Sequence, residues 1–207
     1  PDSPVIERAY EAAMIREIAA IAAGIPHRDL CIQWDVCNEM IMFDGQVPMF
    51  APPYFKNIGA EIAARMKRIG DAVPTDVELG IHLCYGDWEA KHFVEPKDMA
   101  KMVGLANLIS GAISRPLAYI HMPVRIDRGD EAFYAPLRDL KLGKNTELIL
   151  GPVHADGADA TKKRIAAAQK FVPRFGIATE CGIARKRTPE LVRSLIQIHA
   201  DASRLPA

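Results

Sequence analysis

The sequence predicts an α/β fold of the (β/α)8-barrel type, with about five of the eight strand-and-helix units present in residues 1 to 207. Two observations carry this. Short apolar runs alternate with amphipathic stretches of helical period, and parallel strands need a crossover connection that a helix usually provides. The unusual polar residues Asp35, Cys84, His121, His154 and Cys181 fall at or just after the C-terminal ends of the apolar runs, the end that builds the active site in barrels.

The first stretch, Val5 to Ala23, places Ile6, Tyr10, Met14, Ile18 and Ile21 three or four residues apart, and Gly24 and Pro26 end it. Leu30 to Trp34 follows as a strand. Phe43 to Pro53, with Asp44-Gly45 and three prolines, reads as a long loop able to act as a lid. Tyr54 to Ile69 is a second helix, and Val77 to Tyr85 a second strand. Asp98 to Ile113 is helical, Leu117 to Met122 and Leu148 to Val153 extended, Ala158 to Val172 helical and Arg174 to Thr179 extended. Thr188-Pro189-Glu190 opens a last helix, with Thr as cap, Pro in the first turn and Glu complementing the dipole.

These units use the whole chain as a single domain. A closed barrel needs three more, so the expectation is that a preceding segment completes the sheet, or else that it stays open or is completed by another chain, a second copy included.

Lys+Arg and Asp+Glu both number 26, which gives neither a basic face for nucleic acid nor a polybasic membrane patch. No apolar run spans a bilayer and the first residues lack a signal-peptide pattern, so a cytoplasmic protein with small-molecule partners is expected. Four cysteines are too few for a disulfide framework in a chain this long.

His82-Leu83-Cys84 is the most informative motif. Residues two apart on a strand face one side, so imidazole and thiol point together while Leu83 packs the other way. Zinc takes three protein ligands and an open position in catalytic sites, and Cys181 is the candidate third. Each signal has an ordinary alternative: a chance His-x-Cys on a strand, or a buried cysteine acting as a small hydrophobe. Asp35 suits a cationic substrate group or a loop ion pair, and His154 suits a proton donor or a hydrogen-bonded strand-end histidine. Glu39, Asp87 and Asp156 are either partners that orient histidines or solvated loop acids. Cys31 and Cys37 read as packing residues, Trp34 and Tyr119 as packing against helices, and His27, His92 and His199 receive no role.

Ile81-His82-Leu83-Cys84-Tyr85 with the later Glu180-Cys181-Gly182 resembles the zinc site of the cobalamin-independent methionine synthase family. Ile32-Gln33-Trp34-Asp35 and Gly151-Pro152-Val153-His154 resemble two further strand ends, so the likeness covers Leu30 to Arg185. The resemblance implies zinc held by His82, Cys84 and Cys181, Asp35 contacting a substrate amino group, His154 near the reacting centre, and alkyl or methyl transfer to a small-molecule thiol from an alkyl donor. Epoxyalkane:coenzyme M transferases share the arrangement. Two departures stand out. His121 falls where the family has a carboxylate ligand, which makes His121 a candidate fourth ligand, a substrate contact or a core histidine. Asp35 is followed by Val36-Cys37-Asn38-Glu39 rather than an acidic residue and proline. The competing readings are a metal-free barrel resembling uroporphyrinogen decarboxylase, and a zinc-binding barrel fragment without catalysis.

Overall fold

A computed structural model describes residues 3–45, 53–87, 91–183 and 185–204. Its five strands are β1 (Cys31–Val36), β2 (Glu78–Leu83), β3 (Tyr119–Pro123), β4 (Glu147–Val153) and β5 (Gly176–Thr179). They form one all-parallel sheet in the order β1-β2-β3-β4-β5, so each unit adds beside the last and, among the described residues, β1 and β5 are edges. This is the expected five-strand α/β arrangement.

The helices are α1 (Ser3–Gly24), α2 (Asn38–Asp44), α3 (Ile58–Asp71), α4 (Ala100–Ala112), α5 (Glu131–Tyr134), α6 (Ala158–Gln169) and α7 (Pro189–Ala202), with 3-10 turns at His27–Asp29 and Ala135–Asp139. Helix α2 corrects the sequence reading: Phe43 and Asp44 end a helix rather than begin a loop, and Gly45 closes it in the left-handed conformation that glycine adopts freely. The rest of the expected lid, residues 46–52, lies outside the described residues. Helix α3 starts at Ile58 instead of Tyr54 because Asn57 accepts a hydrogen bond from the Ala60 N–H. Thr188 caps α7 as expected.

Alternation along the strands sends Leu79, Ile81 and Leu83 to one face, where each is fully buried. Met66 and Ile62 of α3 and Met102, Leu105 and Ile109 of α4 join them in the hydrophobic core. Each such side chain contributes about 1.5–3 kcal/mol by leaving water. Helix α1 is where expected, but of its apolar residues only Ile18 and Ala22 are buried, and Ile6 and Tyr10 are exposed. Ion pairs Arg65–Glu7 and Arg68–Glu11 tie it to α3.

The other face of the sheet is the concave one, and it carries Cys31, Gln33, Asp35, Gly80, His82, Tyr119 and His121. Two expectations fail here. Cys31 is exposed, because it is two residues from Gln33 and so shares its face. Tyr119 turns inward, donating its hydroxyl to Gln33 Oε1 at 2.7 Å, while Trp34 packs against the core as expected. The Tyr119 ring lies over Gly80, where a Cβ would stand 2.1 Å from Tyr119 Cζ. Gly80→Ala must displace the ring and break its bond to Gln33, and we expect a loss of about 1–3 kcal/mol in urea unfolding. An unchanged midpoint would show that the ring moves freely. Among the described residues, no helix is long and apolar enough to cross a membrane.

Candidate metal centre

Strand register builds the centre. His82 is paired with Asp35 on β1 and His121 on β3, so these three side chains form one row across the concave face. Cys84 follows β2 with its N–H bonded to Val36 O, and Cys181 follows β5, whose neighbour Glu180 bonds to Val153 O. In a flat sheet β2 and β5, three strand spacings apart, would be separated by about 14 Å. Here Cys84 Sγ and Cys181 Sγ are 3.6 Å apart, and His82 Nε2 is 3.4 Å from Cys181 Sγ. The sheet is therefore strongly curled, as a barrel wall is.

The ligand atoms of His82, Cys84 and Cys181 all lie within 4.8 Å of one another. His82 and Cys84 are 4% and 5% exposed, and the Gly86 N–H donates to Cys84 Sγ at 3.2 Å. A tetrahedral zinc with Zn–N near 2.0 Å and Zn–S near 2.3 Å would set N···S at about 3.6 Å and S···S at about 3.8 Å. The separations observed fit one such ion. The protonation balance fits as well. Hydrogen bonding from Cys181 lowers the Cys84 pKa, but the neighbouring Cys37 thiol and burial outweigh it and push Cys84 up to about 12. Its hydrogen-bonded neighbour Cys84 likewise pushes Cys181 up, against the His82 contact. Two protonated thiols in a buried pocket are soft donors that a metal ion deprotonates outright.

His121 does not join the three converging ligands. Its ring stacks on His82 with centroids 4.6 Å apart and planes 24° apart, and its Nε2 lies 3.2 Å from where a Cβ on Gly151 would stand. An imidazole binds metal in its own plane, and two nearly parallel stacked rings share no nearby point. Burial, with His82 alongside, pulls the His121 pKa down to about 3, so the ring is neutral. The expected fourth ligand thus sits beside the centre, placed there by the register that sets it opposite His82.

His154 is at the end of β4 as expected and 3% exposed. Both nitrogens face oxygen acceptors: Nε2 lies 2.7 Å from Val124 O and Nδ1 3.1 Å from Glu180 Oε2. Glu180 precedes Cys181 and also receives Arg187 Nε at 3.0 Å, while Arg187 Nη1 is 3.3 Å from Asp87 Oδ2 and bonds Gly182 O. Arg187, with a side chain 2% exposed, is the residue that sequence reasoning missed. Arg185-Lys186-Arg187 resembles a solvated basic run, and only its position between Cys181 and the Thr188 cap hints that it stays near the centre. Asp87 therefore orients an arginine, not a histidine, and Asp156 pairs with Arg164 at 2.6 Å. A cavity of about 380 Å³ opens between Cys181, His154, Arg125 and His92. Asp35 is exposed at the register of His82 and accepts from Gln33 Nε2 at 2.8 Å.

No family model matches the chain, and no curated protein matches its sequence. Solved structures do match. A candidate vitamin-B12-independent methionine synthase from Listeria monocytogenes superimposes with a TM-score of 0.59 and 15% identity, over 97% of this chain and 56% of that one. The B12-independent methionine synthase from Shewanella sp. W3-18-1, solved with selenomethionine, gives 0.61 and 14% over 94% and 53%. The fold is that of part of a cobalamin-independent methionine synthase barrel. The chain spans about half the length of these methionine synthases, and at such identity the likeness concerns the fold alone. Within that methionine synthase-like fold, this chain's own residues form the His82, Cys84 and Cys181 group.

Proposed function

We propose that the chain supplies the zinc-bearing, C-terminal portion of a methionine synthase-like barrel and transfers an alkyl group, a methyl group in the simplest case, to a small-molecule thiol. The observation that supports this most is the convergence of one imidazole and two thiols at 3.4 and 3.6 Å. His82, Cys84 and Cys181 would hold the ion. When bound, zinc supplies a deprotonated and therefore nucleophilic substrate sulfur, and two cysteine thiolates that already balance its charge keep that sulfur electron-rich. This donor set suits alkyl transfer better than water activation, and it disfavours the metal-free decarboxylase reading.

The chain's other residues bind and position. Asp35, exposed on the same row as His82, offers a carboxylate to a cationic group of the substrate. His154, held at both nitrogens, fixes Glu180 and through it the Cys181 turn, so we assign it to positioning in place of the proton donation expected from the sequence. Four free cysteines suit a reducing, cytosolic compartment.

Metal analysis of the purified chain together with a panel of small thiols and alkyl donors, methylated folates included, tests the proposal. We expect one zinc per chain and thioether formation that chelation abolishes. Stoichiometric zinc without turnover would favour the zinc-binding fragment, and absence of zinc affinity would overturn the reading.

A further inference from the structure

The third cysteine at the top of the sheet has no place in the function proposed above. The pairings Asp35↔His82 and Val36↔Leu83, extended by the Cys84 N–H bond to Val36 O, place Cys37 directly beside Cys84. Cys37 is a free, partly buried thiol that also packs against the edge of the hydrophobic core. It stands outside the 4.8 Å envelope shared by the three converging ligands. Exchange between staggered positions about its Cα–Cβ bond moves the sulfur by about 3 Å, the scale needed to enter that envelope.

A second observation concerns what else could fill a fourth position. His121 is stacked on His82, and its Nε2 lies toward Gly151, buried and without a hydrogen-bond partner among the described residues. Asp35, on the same row as His82, is exposed and hydrogen-bonded to Gln33. Cys37 is left as the soft donor nearest to Cys84, and thiolates favour the borderline-soft metals.

We propose that Cys37 is the exchangeable fourth ligand of the metal centre, holding the position that an incoming substrate thiol takes over. The inference rests on the zinc reading of the site. The exchange balances: the Cys37 sulfur releases the metal and takes up the proton that the substrate thiol gives up, while one metal–sulfur bond breaks and one forms. The substrate thiolate replaces a thiolate, so the charge of the complex is unchanged. Cys37 thereby keeps water and wrong donors from the open position until a thiol arrives.

Cobalt(II) loaded into the chain reports the number of thiolates through its sulfur-to-metal charge-transfer absorption. Wild type should show three, and Cys37→Ser should lose about a third of that intensity, which 2-mercaptoethanol then restores. Cys31→Ser should leave it unchanged. An independent arm needs no variant: N-ethylmaleimide labelling read by mass spectrometry should find Cys37 protected by metal along with Cys84 and Cys181, and Cys31 labelled with or without it. Equal cobalt intensity in wild type and Cys37→Ser, or equal labelling of Cys37 with and without metal, overturns this inference and leaves the zinc centre standing. A wild-type chain that binds no cobalt overturns both.

Discussion

Cys181→Ala should lower zinc affinity by more than about a hundredfold while leaving the metal-free chain as stable as the parent. Loss of a residue that merely orients a ligand typically costs about 10–100-fold, and Cys181 is itself one of the three converging donors. Its sulfur touches both His82 and Cys84, so its removal takes away the donor that closes the group around an ion. The fold does not need it: Cys181 is half-buried, in a turn after β5, and the partners of its sulfur are the other two donors. Chelator competition measures the affinity. Thermal unfolding supplies the second readout, since zinc at about a hundred times its dissociation constant stabilises the parent by about 2.7 kcal/mol and should do nothing for the variant. Parent affinity should also climb with pH, because binding releases a proton from every thiol whose pKa lies above the working pH, about tenfold per thiol per unit. Retention of zinc by Cys181→Ala at parental affinity would remove the centre from this place.

The features legible in the sequence are those that period and parity fix within one strand. His82 and Cys84 are two apart, so their shared face follows without knowledge of any neighbour, and the order of strands follows from the crossover helices. Relations between strands are not encoded that way. The stacking of His121 on His82 depends on β2 and β3 pairing these residues with each other, and a slip of one residue would send the His121 ring to the opposite face. Tyr119 turns inward because Gly80 on the adjacent strand leaves room for its ring. Helix α2 is hidden for a different reason: seven residues hold too few turns to show a period, and Asp44-Gly45 looks like a turn when it is a helix end. Arg187 is invisible because a buried arginine and a solvated one have the same local sequence. Its burial depends on Asp87, which lies 100 residues away.

Arg187→Met should destabilise the chain by about 3–5 kcal/mol at pH 7, the cost of removing one partner from a buried ion pair and leaving charge uncompensated. The Arg187 and Asp87 side chains are 2% and 4% exposed, and Glu180 is 19% exposed. The carbonyl of Gly182 loses a donor too. The pH dependence has a definite sign. Burial raises the Glu180 pKa, but His154 and Arg187 outweigh it and hold the carboxyl below its ordinary range. In the parent, Glu180 therefore contributes stability that is present above the unfolded value of about 4.3 and is lost as pH falls through the lower folded value. Without Arg187 the burial contribution gains weight and the folded Glu180 pKa rises, so the penalty is greatest near neutrality and shrinks once Glu180 is protonated. Urea unfolding at pH 7 and at pH 4 should show the difference narrowing. Gly182→Ala attacks the same cluster from the other side, since residue 182 has φ +64° and a Cβ there would stand 1.7 Å from Asp87 Oδ2. Because both substitutions break the one Asp87–Arg187 contact, the double variant should lose less than the sum of the two single losses. Strict additivity, or a loss from Arg187→Met of under about 1 kcal/mol as for an exposed pair, would mean that the cluster does not hold the Cys181 turn.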